Sequence, residues 1–264
     1  MREYNAYSVK RTLCTESNTM DIATTEGDFY RLGCKHGTDK ATYHGYHRFY
    51  PRFVEHLRGM DGAAIIEIGM DQLKSLNLWL EYFPKAFIYG VDIGVEKSGE
   101  RYLIHKADQS DVSKLRELAG IIKAAGQKVV FINDDGSHVP QHVITTFNYF
   151  FRHVLEEGGV YAIEDIETSY WKNGYMYGYT VHCGFQHRES VIEIFKHLAD
   201  DVNREYLSDH ERRYQDVLAW QVPDEVRKMV SSVTFGQNCV IITKKTAEEY
   251  QYDGRPYKWP EYLR

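Results

Sequence analysis

The sequence contains no CxxC pair. Its four cysteines, Cys14, Cys34, Cys183 and Cys239, stand far apart, so neither a zinc knuckle nor a redox dithiol is spelled out and four reduced thiols are expected. Also missing are an apolar run long enough to span a bilayer and an opening in which positive charge precedes an apolar secretory stretch. These absences predict a cytoplasmic protein with no membrane partner. Nor is there a basic excess: 38 Asp and Glu outnumber 32 Lys and Arg, for a formal charge of −6. That balance argues against a protein that grips a nucleic-acid backbone through a basic face. Internal repeats and low-complexity tracts are lacking as well. What remains is a 264-residue chain, 43% hydrophobic and 27% charged, with room for one large domain around a buried centre.

Aromatic residues are plentiful, with 21 Tyr beside 12 Phe and 4 Trp. Tyrosine joins an apolar ring to a polar edge, which suits an amphipathic cleft or a subunit interface as well as ordinary packing. Residues 1–32 have weak periodicity and are expected to form an N-terminal arm or cap. The domain is expected over 33–246, with a lid around 170–190, and 247–264 form a C-terminal tail.

Phe49, Phe53 and Leu57 make an apolar stripe at helical spacing. The period then changes, and Gly62 to Gly69 predicts a buried strand ending in a turn. A helix over 75–83 is closed by Pro84. Further strands are predicted at Phe87–Ile93, Tyr102–His105, Val129–Ile132 and Val160–Ile163, with helices within 111–125 and along Val143, Phe147 and Val154. Gly158-Gly159 is expected to end the second of these helices. After a Tyr-, Gly- and His-rich stretch, helical spacing returns from Val191 to Leu198 and again between 210 and 230. Two late strands, Val230–Phe235 and Cys239–Thr243, flank the Gly236-Gln237-Asn238 turn. This alternation predicts an α/β fold with a mostly parallel sheet, helices on both faces and a late antiparallel hairpin.

In such a sheet the strand exits carry the chemistry. Gly69 closes the first strand and can admit a ligand closely, while Asp92 closes the next and can accept hydrogen bonds from ribose hydroxyls. No GxGxxG follows, since the turn reads Gly69-Met70-Asp71-Gln72-Leu73-Lys74, which weakens a nicotinamide reading. Asp134-Asp135-Gly136-Ser137-His138 places two acids, a permissive glycine and an imidazole directly after a buried strand. The following strand exits at Glu164-Asp165. Exits of parallel neighbours share one sheet edge, so Asp135, Glu164 and Asp165 can converge on a magnesium ion. His138 is then placed as general base for a substrate hydroxyl, with Asp134 orienting it or remaining structural. Tyr170, Trp171, Tyr175, Tyr177 and Tyr179 can cover a sugar ring or an apolar aglycone. His182 and His187 are candidates for rim residues or auxiliary bases, with ordinary roles preferred because neither has the strand-exit position of His138.

Several segments together resemble the class I S-adenosylmethionine-dependent methyltransferases, and more narrowly the metal-dependent O-methyltransferases of antibiotic sugars. They are Gly37-Thr38-Asp39-Lys40, Ile65-Ile66-Glu67-Ile68-Gly69, Trp79 to Pro84, Tyr89-Gly90-Val91-Asp92-Ile93, Asp108-Gln109-Ser110-Asp111, Ile132 to His138 and Ile163 to Trp171. The resemblance implies a Rossmann-like fold and an S-adenosylmethionine site at Glu67, Gly69, Asp92, Asp108, Gln109 and Asp134, with Lys40 in an upstream cofactor or lid motif. It also implies Mg2+ at Asp135, Glu164 and Asp165, His138 as base, and His44 and Tyr46 near the substrate mouth with Tyr170 and Trp171. The implied reaction is methyl transfer to a hydroxyl of a sugar or glycosylated natural product, in antibiotic biosynthesis, by an enzyme expected to be a homo-oligomer. Another vicinal diol such as a catechol, a polyketide phenol, a metal-assisted enzyme of another class and a non-catalytic interaction domain stay open as alternatives.

Overall fold

The computed structural model describes residues 25–171, 174–176, 179–181 and 183–253. Cys14, Tyr177, His182, the side chains of Tyr175 and Tyr179, and the tail beyond Asp253 lie outside the described residues. The chain opens with α1 (Thr25–His36), α2 (Asp39–Thr42) and α3 (Pro51–Val54), then enters β1 (Ala63–Ile68), α4 (Lys74–Tyr82), β2 (Phe87–Asp92), β3 (Lys97–Gly99) and β4 (Tyr102–Lys106). It continues through α5 (Val112–Ala124), β5 (Lys128–Asp134), α6 (Pro140–His153), β6 (Leu155–Glu164) and a short pair, β7 (Gly174–Met176) and β8 (Tyr179–Val181). The final elements are α7 (Val191–Val202), α8 (Asp209–Leu218), α9 (Asp224–Arg227), β9 (Val230–Gly236) and β10 (Cys239–Lys244).

Eight strands form one sheet in the order β3-β4-β2-β1-β5-β6-β10-β9. The run from β4 to β6 is parallel. β10 enters antiparallel beside β6, and β9 pairs antiparallel outside it, as the sequence pattern predicts. Every residue of β1 is buried, because the sheet is covered on both faces. Alternate residues feed two cores. Ala64, Ile66 and Ile68 join Leu115, Phe147 and Phe195 from α5, α6 and α7. Ala63 and Ile65 join Phe29 of α1 with Trp79 and Tyr82 of α4.

Local chemistry starts these helices. Asp111 caps α5 by accepting from the Ser113 and Lys114 N–H groups, Pro140 opens α6, and Ser208 with Glu211 forms a capping box on α8.

Three expectations change. The division at residue 32/33 falls inside α1, whose Phe29 and Leu32 are core residues. Gly158-Gly159 does not end α6: the helix stops at His153 and β6 begins at Leu155, with the register shifting so that Leu155 pairs with Val129 and Val160 with Phe131. The glycines lie in that irregularity, where Gly158 takes a positive φ of 73°. Cys34 is disulfide-bonded, whereas Cys183 and Cys239 are free and buried, so reduced thiols hold for those two alone among the described cysteines.

Candidate active site

The sheet order reverses at β1: the chain runs outward through β2 and β4, then returns to β5 on the other flank. A crevice beyond the carboxyl ends of β1 and β5 is the place where open α/β sheets bind ligands. Glu67 and Gly69, Asp134 to His138, and Glu164-Asp165 all arrive there. Gly69 (φ +84°) has a tighter reason for being glycine than the sequence suggests. A Cβ there would lie 2.0 Å from the Asp135 carbonyl oxygen, so the β5 exit itself requires glycine at this position.

Asp92 holds the two turns beside the crevice. Its Oδ2 accepts from the N–H groups of Met70 (2.8 Å) and Asp71 (3.1 Å), and its Oδ1 from those of Gly94 (2.7 Å) and Val95 (2.8 Å). Asp108 accepts from the Ser110 N–H and hydroxyl. Gln109 is buried and ties the β5 loop in place: its Oε1 accepts from Ser137 N at 2.6 Å, and its Nε2 donates to Asp134 Oδ1 and Thr146 Oγ1, each at 3.2 Å. Asp134 Oδ2 accepts from the Tyr161 hydroxyl at 3.0 Å. Burial raises the Asp134 pKa to about 6 against the pull of these two donors.

Beside this support lies the acidic centre. Carboxylate oxygens of Asp135 and Asp165 and a ring nitrogen of His138 lie within 4.8 Å of one another, with His138 Nε2 3.9 Å from both Asp135 Oδ1 and Asp165 Oδ2. Each acid uses its other oxygen as an anchor. Asp135 Oδ2 accepts from Lys40 Nζ at 2.6 Å. Asp165 Oδ1 accepts from the Tyr46 hydroxyl (2.6 Å) and Asn238 Nδ2 (3.1 Å), with His44 Nδ1 3.4 Å away. Burial, with the charges of Glu164 and Asp165, raises the Tyr46 pKa, so its hydroxyl stays a donor.

Glu164 stands one layer behind. Its Oε1 accepts from Tyr50 at 2.6 Å and its Oε2 from Lys40 at 2.7 Å. Lys40 is wholly buried and also faces Glu67 Oε1 at 3.2 Å. Burial opposes the ammonium charge, but Asp135, Glu164 and Glu67 outweigh it and hold the Lys40 pKa well above its ordinary value.

Backbone geometry marks the same place. Six non-glycine residues among those described have positive φ, and five lie here: Asp71 and Leu73 in the β1 turn, with His138, Asp165 and Asn238 around the acids. Such conformations persist where surrounding contacts fix them, and they gather at functional sites.

The residues present suit a divalent cation. Two carboxylate oxygens converge beside an imidazole, and the edge sets the carboxylates of Glu67, Asp135, Glu164 and Asp165 against one ammonium. Tyr170 and Trp171, each about half exposed at 52%, follow Asp165 within one short turn, and Tyr170 stacks on Phe185 at 6.4 Å. His187 takes part in the turn before α7 by accepting from Glu189 N–H.

No family model matches the chain. It is 36% identical over 149 residues to the 8-demethyl-8-alpha-L-rhamnosyl tetracenomycin-C 2'-O-methyltransferase of Streptomyces olivaceus, a match covering 53% of this chain and 38% of that protein. To the L-olivosyl-oleandolide 3-O-methyltransferase of Streptomyces antibioticus it is 34% identical over 190 residues, 68% of this chain and 47% of that one. Among solved structures, the MycE methyltransferase from the mycinamycin biosynthetic pathway, in complex with Mg and SAH, matches with a TM-score of 0.71 and 25% identity over 89% of this chain and 58% of its own. The chain is thus similar in sequence to O-methyltransferases that act on antibiotic sugars. Its fold is that of a class I methyltransferase. The chain spans less than half the length of these two curated relatives.

Three contributors to the site escape sequence reasoning. Tyr50 adjoins the Phe49, Phe53 and Leu57 stripe and carries no site signal of its own, yet its hydroxyl reaches Glu164 and, at 3.0 Å, Asn133 Oδ1. Asn238 reads only as a hairpin turn, but the turn abuts Asp165 because β10 pairs with β6. Ser75 donates to Glu67 Oε2 at 2.7 Å from the first turn of α4. All three depend on tertiary placement.

Proposed function

We propose that this chain transfers a methyl group from S-adenosylmethionine to a hydroxyl of a sugar or glycosylated natural product, with Mg2+ as the bound cation. The observation that carries the reading is the convergence of Asp135, His138 and Asp165 from two strand exits beside the β1/β5 crevice. The similarity to antibiotic-sugar O-methyltransferases supplies the acceptor class.

When bound, S-adenosylmethionine brings a methyl already activated on a sulfonium, and the divalent cation brings positive charge to the acceptor oxygens. The chain's own part is placement and proton removal. Asp135 Oδ1 and Asp165 Oδ2 hold the cation, their other oxygens fixed by Lys40, Tyr46 and Asn238. Glu164, expected as a third ligand, supports them through Lys40. His138 Nε2 takes the hydroxyl proton as the oxygen bonds to the methyl carbon. Glu67, Gly69, Asp92, Asp108, Gln109 and Asp134 shape the cofactor side, with Asp92 and Gln109 acting chiefly on the loops that line it. His44, Tyr46, Tyr170 and Trp171 stand at the acceptor mouth. The reading includes a cytoplasmic homo-oligomer without a nucleic-acid partner; the net charge of −6 supports only the last of these.

Methyl transfer to glycosides, catechols and phenols, each with and without chelator, tests this proposal. Glycosides are expected to accept methyl only with the divalent ion present. Turnover that survives EDTA, or no binding of S-adenosylhomocysteine, would overturn it.

A further inference from the structure

The acidic edge holds a second cluster of carboxylates, gathered around Lys40 behind the proposed cation. Glu67, Asp135 and Glu164 come from the ends of three adjacent strands, β1, β5 and β6. Their oxygens surround one atom, Lys40 Nζ, at 3.2, 2.6 and 2.7 Å. Lys40 reaches this point from α2, outside the sheet, and is wholly buried. Glu67 Oε1 is buried and has no hydrogen-bond partner. Outside hydrogen-bond geometry it faces the Lys40 ammonium, and the Trp79 indole also favours the Glu67 charge. An anionic oxygen with no directed bond to the ammonium beside it keeps lone pairs that a cation of another kind could use.

Asp135 joins this cluster to the first. Its Oδ2 faces Lys40, while its Oδ1 faces the His138 and Asp165 centre. A carboxylate shared in this way bridges two positive charges in two-metal sites. We propose that the edge is a two-cation centre in which the chain supplies one cation itself, Lys40 occupying the position a second divalent ion would take. Lys40 is therefore a positioning residue: it fixes Asp135 and Glu164 and balances their charge, so that a single exchangeable ion completes the site. This inference rests on the proposed cation at Asp135 and Asp165.

Mn2+ titration of the full chain, followed by calorimetry and by the spin signal of free ion, tests it without using activity. The wild type is expected to take one Mn2+. Lys40→Met, which keeps the length of the side chain and removes the charge, is expected to take two. Lys40→Arg, which retains the charge, is expected to take one, and Lys40→Met with Glu67→Gln should lose the second ion. If Lys40→Met does not fold in EDTA, Mn2+ should restore its far-UV signal, and failure to do so at millimolar Mn2+ counts against the proposal. One ion in folded Lys40→Met, bound as in the wild type, overturns the role of Lys40 alone. No ion in the wild type overturns the metal reading beneath it.

Discussion

Each acid at the sheet edge has two oxygens, and the partner of one decides what the other is left to do. Asp135 and Asp165 are each anchored through one oxygen and turn the second toward His138, whereas Glu164 has both engaged. If His138 removes the acceptor proton, His138→Ala should slow methyl transfer about 10²–10⁴-fold while leaving the melting temperature nearly unchanged. A variant as active as the wild type, read by release of S-adenosylhomocysteine, would remove it from that role. Asp134 makes a different prediction. Burial raises its pKa to about 6, above the ordinary carboxyl value near 3.9. Between those values the folded chain holds more proton than the unfolded one, so the stability Asp134 contributes is present below about pH 4 and lost as pH rises toward about 6. Tyr161 and Gln109 bond to it, and the nearby His138 favours its charge. Asp134→Asn should flatten that part of the stability profile in chelator-treated protein. An unaltered slope in urea melts from pH 4 to pH 6.5 would show that other groups carry it.

At the level of elements, strand exits are positioned by backbone contact as much as by side chains. Gly69→Ala forces a Cβ to within 2.0 Å of the Asp135 carbonyl at a backbone φ of +84°. The β1 and β5 exits must then part, at a cost of at least about 2 kcal/mol. The melting temperature should fall by about 4–8 °C, and Mn2+ affinity should fall with it because Asp135 moves. A variant that keeps both refutes the close-approach argument. This contact also shows what sequence can and cannot convey. β1, β2 and β5 are legible as short, nearly continuous apolar runs bounded by polar or turn residues, and α6 because its apolar side chains recur every third to fourth residue. The acids at their exits follow from sheet direction alone. Lys40 could be read as part of a motif, but not as the hub of three carboxylates, because nothing local in Gly37-Thr38-Asp39-Lys40 says that α2 lies over the ends of β1, β5 and β6. The start of α1 escaped for a related reason: its helix has little apolar periodicity, and Phe29 and Leu32 gain their place from packing on α4.

For the whole molecule, the decisive quantity is the charge gathered at one sheet edge. Glu67, Asp135, Glu164 and Asp165 face a single lysine there, and burial raises the Glu164 and Glu67 pKa values. Held ionised around one ammonium, these acids oppose folding until further positive charge arrives. A specific divalent ion bound at a hundred times its Kd stabilises the native state by about 2.7 kcal/mol, which for a chain of this size is a rise in melting temperature of about 5–10 °C. Screening by simple salt reaches exposed charges far better than buried ones. Chelator-treated protein should therefore gain several degrees from millimolar Mg2+ and little from NaCl at matched ionic strength. The difference should vanish in Asp135→Asn/Asp165→Asn, whose centre retains its shape without its two anionic oxygens. Equal stabilisation by the two salts in the wild type would mean that the edge responds to ionic strength alone, and the convergence of its acids would then have no bound cation to explain it.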